Sequence, residues 1–395
     1  MSRTTLGLIR EDTSISRLNS RVMLLALCYA TFSAATLFAT TSVAVGPSTC
    51  QSSLIHFSTI QAAVNAVPFG STVLVCPGTY PEQVVIAQPL TLKGITDGIS
   101  NASVIAVPAG GLTLNAFTNI FGNITAQVLV ENTVGVTISG ITIDGTGSTC
   151  VPGAARTVGL EYFNIGSSND GYLGGKIQNV VVRNIGGCGG EGIISDTSYL
   201  TISNNELHNL SRTPIYAYGG KNMITGNNVQ NCLNGFVIAN ANTLTIASGN
   251  TISDLASYDF FTTTGMWVNG GSATVKQNVL ASSSSPYTNA GVYLPGTVSG
   301  TSITANKVNG VTYGVQMSGA AGTTVQGNSF NGDYLGVFDE FSNGGNIVTK
   351  NTANEGTFGI FTFSPANDVL TPNSFFNSLT TIDPSEPTGS LNVVD

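Results

Sequence analysis

Asp196, His208, Arg212, Tyr218 and Asp259 are the residues in this chain best typed and placed for acid–base chemistry. Elimination from a uronic acid needs a base such as Arg, Lys, His or Tyr. It also needs a cation or an Arg to neutralise the substrate carboxylate. His208, Arg212, Tyr216 and Tyr218 share one short stretch, with Asp196 just before it. Glycoside hydrolysis needs two carboxylates facing each other across a cleft. Asp196, Asp254, Asp259, Asp339 and Glu340 are the candidates, with Asp339 expected to point inward. Each has a plainer reading. His208 and Arg212 also read as solvated loop residues, and Asp254 as a turn cap. The chain has only two His, so no metal-ligand set is assigned. Calcium is the cofactor that an elimination reaction would call for. Gly187-Cys-Gly-Gly-Glu-Gly192 matches a dinucleotide-binding string, but strand formers follow it, so it predicts no phosphate site.

These residues need a scaffold, and a column of asparagines supplies it. Between 180 and 355 an apolar residue, two residues, Asn, any residue and an apolar residue recur. Ile202–Asn205–Leu207, Ile224–Asn227–Val229, Val275–Asn278–Leu280, Ile303–Asn306–Val308, Val325–Asn328–Phe330 and Val348–Asn351–Ala353 fit. Ile246–Asn250–Ile252 fits with one extra residue, and Val180–Arg183–Ile185 fits with Arg in the Asn place. The marked positions are 183, 205, 227, 250, 278, 306, 328 and 351. A step near 22 signals a solenoid. Val, Ile, Thr, Tyr and Phe punctuated by Gly and Asn predict an all-β parallel β-helix with three strands per coil. The Asn is expected to form the bend, because it tolerates left-handed backbone. Asparagines stacked about 4.8 Å apart would bond as a ladder.

The third strand of each repeat nearly always begins with Gly, as in Gly235-Phe-Val and Gly265-Met-Trp. Alternation along it gives two outward columns. One reads Ile194, Tyr216, Val237, Trp267, Tyr293, Gln316, Phe338, Phe361. The other reads Asp196, Tyr218, Ala239, Asn269, Pro295, Ser318, Glu340, Phe363. Exposed aromatic platforms beside polar groups suit flat sugar faces, so Tyr216, Trp267, Asn269, Tyr293 and Phe338 are the expected substrate-binding residues. Two repeats are longer by insertions around Asp254–Thr264 and Ala281–Ala290. Both fall in the same loop of adjacent coils, which predicts a lip over this face. Tyr258, Phe260 and Phe261 in the lip could instead pack on the rings.

Composition agrees with a solenoid. Only 9% of residues are charged and 47 are Gly. Arg3, Arg10, Arg17 and Arg21 precede an uncharged run from Val22 to Ala44, and Ser42-Val43-Ala44 offers small residues for signal peptidase. Residues 1–44 are therefore expected to be a signal peptide cleaved after Ala44, with a membrane anchor as the other reading. The remainder, 45–395, reads as one β-helix domain in a secreted or cell-surface protein. Its cap falls at about 50–70, its Asn-marked coils at about 180–363 and its tail at about 364–395. The whole chain has 13 basic and 21 acidic residues. No basic patch points to nucleic acid, and an acidic monomer suits a neutral polymer better than a polyanion. Export permits disulfides. Cys50–Cys76 is the favoured pair, Cys150–Cys188 can form, and one thiol is left over. Cys188 and Cys232 sit about two coils apart, beyond disulfide reach.

Residues 58–67 predict one helix, with Ser58 and Gln61 as a capping box and Ile60, Ala63, Val64 and Val67 on one face. It would close the open end of the core. Strands should follow at Thr72–Cys76, Gln83–Ile86 and Leu90–Leu92. The stretch Phe57-Ser-Thr-Ile-Gln-Ala-Ala-Val-Asn-Ala-Val-Pro68 followed by Ser71-Thr-Val-Leu-Val-Cys-Pro-Gly-Thr-Tyr80 resembles the opening of the pectin-lyase-like right-handed β-helix superfamily. The Asn-marked repeats resemble its carbohydrate-binding and sugar-hydrolase type of coil. The resemblance implies that the third-strand sheet and its preceding loops form a polysaccharide cleft. No Asn-Thr-Asp, Gly-His-Gly or Arg-Ile-Lys trio like that of polygalacturonases occurs, nor the paired Asp of pectin methylesterases. Two functions fit: a secreted protein that binds a polysaccharide, with cleavage as a lyase or a glycoside hydrolase as its extension, and a non-catalytic cell-surface or adhesive solenoid.

Overall fold

Three short strands per coil wind into a right-handed parallel β-helix. The computed structural model describes residues 40–96, 102–165, 174–255, 263–281, 288–296, 298–340, 344–354, 358–362, 368–370, 372–376 and 380–382. Among them every strand pairing is parallel except the small hairpin of Ala116–Thr118 with Gly122–Ile124. The coils enclose a continuous apolar core running from Val43 to Leu370.

The first coil begins earlier than the sequence suggests. Ser42–Val45 is a strand between Ile55–Phe57 and Ser71–Val75, and Val43, Ala44 and Val45 are buried. The expected cleavage after Ala44 falls inside this strand. Residues 1–39 lie outside the described residues. The predicted strands appear as Ser71–Val75, Val84–Ile86 and Leu90–Gly94. Helix α1 spans Ile60–Ala66 and buries Ile60, Ala63 and Val64 as the apolar spacing predicts. Its cap differs from the predicted box. Thr59 caps Ala62 N, while the Glu82 carboxylate accepts from Ile60 N at 2.8 Å and Gln61 N at 3.0 Å. An acid at a helix N-terminus also offsets the helix dipole.

The asparagine column forms a ladder. Asn227 Nδ2 donates to Asn250 Oδ1 at 2.9 Å and to Ile202 O at 3.0 Å, and its backbone N donates to the same Oδ1. The pattern repeats at Asn205, Asn250, Asn278, Asn306, Asn328 and Asn351. These side chains are buried, so the bonds remove the cost of placing amides in the core. Four details correct the sequence reading. The left-handed residue is the one before each Asn: Asn204, Gly226, Gly249, Gln277, Ala305, Gly327 and Lys350 all have φ near +60°. Val180, not Arg183, holds the marker place, since its N donates to Asn205 Oδ1 and Arg183 pairs with His208. Ala247, not Ile246, is the inward residue before Asn250, so this repeat carries no extra residue. The ladder also runs one coil further, to Asn373, which bonds Asn351 and Val348 O.

The third-strand glycines have a steric cause. A Cβ on Gly265 would lie 2.6 Å from Gly291 O, and one on Gly291 2.7 Å from Gly314 O. Each would strike the next coil's backbone. Cys50–Cys76 and Cys150–Cys188 are disulfides, with Cα separations of 6.2 and 4.5 Å. Cys232 is a buried free thiol whose pKa burial pushes up to about 12. Among the described residues no helix is long and apolar enough to cross a membrane.

Candidate functional site

The outward column of the third strands forms in register. Ile194, Tyr216, Val237, Trp267, Tyr293, Gln316, Phe338 and Phe361 pair in that order. Parallel strands about 4.8 Å apart bring neighbouring rings into contact. Trp267 and Tyr293 lie 6.0 Å apart at 40°. Phe338 stacks at 4.9 Å on Tyr313, which the sequence reading missed. Trp267 keeps 37% of its surface exposed. Asn269 continues the Trp267 strand and pairs with Ala239 in the second column, where Ser318 and Glu340 also pair. Burial, then the charge of Glu340, raises the Tyr293 phenol pKa. Most of the lip, with Asp259, Tyr258, Phe260 and Phe261, lies outside the described residues, as does Phe363.

The other end of the face is covered and charged. The first column continues upstream through Glu161 and Leu129, and the second through Phe163 and Glu131. The hairpin around Asn119 and Phe121 lies over it, closing an apolar cluster of Ile124, Ala126, Leu129, Val158 and Ile194. Phe121 meets Tyr216 edge-on at 5.3 Å, and the Arg156 guanidinium sits 4.6 Å from the Phe121 ring centre.

Buried Glu191 lies beneath, with Oε1 3.3 Å from Arg156 Nε and 3.6 Å from Arg212 Nε, while Oε2 accepts from Thr213 N. Burial pushes its pKa up to about 7 despite Arg212, the Thr213 bond and Arg156. Burial, then the Glu191 charge, pushes Tyr216 up to about 12. Gly189 lets the arginines pass, since a Cβ there would lie 3.1 Å from Arg212 Cδ and 3.5 Å from Arg156 Cδ. The Cys150–Cys188 disulfide pins the adjoining loops. The glycine-rich string leads into strand Gly190–Asp196 and serves this packing.

The predicted acid–base set is only partly assembled. Asp196 and Tyr218 pair on the face, but the Asp196 side chain is buried and accepts from Asn119 N at 2.6 Å and Asn119 Nδ2 at 3.0 Å. Arg212 faces Glu191. His208 lies on the post-Asn sheet between Arg183 and Gln230, 3.9 Å from Glu206, so it does not join Tyr218. Asp339 is buried as expected and accepts from Asn346. Asp254 takes a left-handed φ of 53° at the end of its strand, which is a turn role. Arg156, Glu161 and Glu191 escaped the sequence reading.

Residues 163–294 match the family model of the right handed beta helix region, and residues 245–389 match that of the periplasmic copper-binding protein NosD. These matches and the coil geometry make the chain a right-handed parallel β-helix protein. The mannuronan C-5 epimerase AlgE4 A-module of Azotobacter vinelandii superposes with a TM-score of 0.50 at 16% identity, over 85% of this chain and 95% of that one. The GH136 lacto-N-biosidase of Eubacterium ramulus superposes with a TM-score of 0.52 at 13% identity, over 87% and 67%. At such identities the likeness is one of fold. No curated protein matches the chain. Among the described residues the donors do not suit copper. Among the described residues no three His, Cys, Asp or Glu gather to hold a metal ion, and His56 is bonded to Gly46 O and Gln51 O.

Proposed function

We propose that this is an exported glycan-binding β-helix, with the outer face of the third-strand sheet as its binding surface. The observation that carries the reading is the Trp267–Tyr293 pair. Trp267 is 37% exposed, the two rings lie 6.0 Å apart on adjacent strands, and Asn269 continues the Trp267 strand. Flat apolar rings flanked by hydrogen-bonding side chains match a sugar ring's apolar face and its equatorial hydroxyls. The carbohydrate-active proteins among the structural relatives agree with it. Two disulfides and the apolar N-terminal run favour an extracytoplasmic location.

Binding is the core of the proposal and cleavage an extension. Asp196 is engaged by Asn119 and His208 lies on another sheet, so these two do not make an open acid–base pair as they stand. The Trp267→Ala variant tests the reading by affinity electrophoresis in gels cast with neutral glucan, xylan or alginate. Retardation should fall about tenfold or more, as for loss of a central aromatic anchor, with an unchanged circular dichroism spectrum. Equal retardation of the variant and the parent would remove the basis for the reading. Product assays on the same polymers separate a lyase, which yields unsaturated ends, from a hydrolase, which yields reducing ends alone.

A further inference from the structure

Glu161 is the least satisfied polar side chain on the binding face. It takes a place in the first outward column, between Leu129 and Ile194. It is fully buried beneath the Asn119–Phe121 hairpin, and neither carboxyl oxygen has a hydrogen-bond partner. A buried carboxyl without partners is costly, and such a group marks a place built for another occupant.

The cover itself suggests what that occupant is. Asn119 is exposed, yet it gives two donors to the Asp196 carboxylate. Two adjacent hydroxyls of a sugar would present the same pair of donors. Phe121 sets its ring edge-on against Tyr216 and under the Arg156 guanidinium, so its apolar ring fills the space beside Tyr216 that a sugar would take. Beside the hairpin a hollow of ≈ 400 Å³ lies between Asn115–Phe117 and the second column at Glu131 and Phe163. That size is in the range of ligand pockets. The hollow follows the column that leads on to Asp196 and Tyr218.

We propose that the Asn119–Phe121 hairpin occupies a sugar subsite at the upstream end of the glycan face. A hydroxyl-rich sugar unit displaces it and donates to Asp196 and Glu161. The inference rests on the glycan-binding reading and adds to it the subsite, its two acceptors and a built-in competitor. Burial, then the charges of Asp196 and Glu131, hold the Glu161 carboxyl pKa well above the ordinary range. An incoming hydroxyl would therefore relieve a group that water cannot reach.

Asn119→Ala removes one of the hairpin's two ties to Asp196, the Nδ2 bond, keeps the backbone N–H bond and leaves both acceptors in place. In the same glucan, xylan and alginate gels it should bind about tenfold more tightly than the parent, the worth of one charge-assisted hydrogen bond. Phe121→Ser should act in the same direction. Glu161→Leu, which removes the acceptor, should reverse part of the gain when made in the Asn119→Ala background. Unchanged or weaker binding by Asn119→Ala, with Trp267→Ala impaired, would overturn the subsite and leave the face intact. Retardation of Asn119→Ala alone would support a face closed by its own hairpin. Absence of retardation for parent and both hairpin variants alike would overturn the subsite together with the reading beneath it.

Discussion

The two halves of this β-helix use the same coil and solve its problems differently. From Asn205 onward the coils repeat, and each is fixed to the next by a buried asparagine. Upstream of it the coils vary in length, the ladder positions hold Ile141 and Val180, and two disulfides and a helix cap hold the chain. Repetition suits an aromatic face, because each coil sets a side chain beside that of the last, as Tyr293 lies beside Trp267. Irregularity permits long loops, and there the chain gathers its covered carboxylates, Arg156 and the hairpin. The regular half can supply a binding track, while the irregular half supplies residues able to discriminate among ligands.

The widest separation between the halves should come from one coil position. Asn278→Ala removes an amide that donates to Asn306 and Ala247 O and accepts from the Asn250 backbone and side chain. Several buried groups lose their partners at once, so the expected cost is about 3–5 kcal/mol. Val180→Ala, at the equivalent place upstream, leaves only a small cavity and should cost about 1–2 kcal/mol. Urea denaturation of the two variants measures both. Equal costs would mean that the ladder adds no more than apolar packing does.

The regular half was the legible half. The Asn step, the Gly-led strands and the outward aromatic column all follow from period and alternation, and the pairing register reproduces them. Asn373 was legible too: Leu370, Asn373 and Phe375 keep the spacing of the earlier repeats, one coil past the stretch searched. Ile246 was misplaced by one residue and Arg183 by three, because shifted frames look alike when several neighbours are apolar. The charged end was hidden for a different reason. Asn119 and Asp196 are 77 residues apart, and Arg156, Glu191 and Arg212 meet only because three coils stack. No local pattern encodes such a meeting. Glu161 sits among strand formers, and only the hairpin above it makes it unusual.

A smaller contrast concerns acids buried in the regular half. Asp333 accepts from Val311 N at 2.9 Å, its other oxygen is unpartnered, and burial pushes its pKa up to about 7. The folded pKa exceeds the unfolded one, so the folded form holds the extra proton. Its contribution is full at low pH and is lost as pH rises from about 4 to about 7. Asp333→Asn keeps an acceptor for Val311 and removes the titration. Thermal melts should show the variant more stable by about 1–2 kcal/mol at pH 8 and indistinguishable at pH 4. A pH-independent difference would point to packing instead of charge.

The finest test lies at the residue before each asparagine. That position is left-handed in every ladder coil from Asn205 to Asn351, whatever side chain it carries, because the bend is set by the stacked coils. Glycine holds it at Gly226, Gly249 and Gly327, while Ala305 adopts φ of 54° there. A non-glycine residue in this region costs roughly 1–2 kcal/mol, and glycine returns part of that as entropy of the unfolded chain. Ala305→Gly should therefore stabilise the protein by about 0.5 kcal/mol, read as a small rise in the urea midpoint. Gly327→Ala should destabilise it by a similar amount, since open space around Gly327 leaves backbone conformation as the only penalty. Opposite signs at these two equivalent places would show that the ladder coils impose one backbone shape on unlike residues. A fall in stability for Ala305→Gly would mean that the Ala305 methyl makes contacts worth more than the strain it carries.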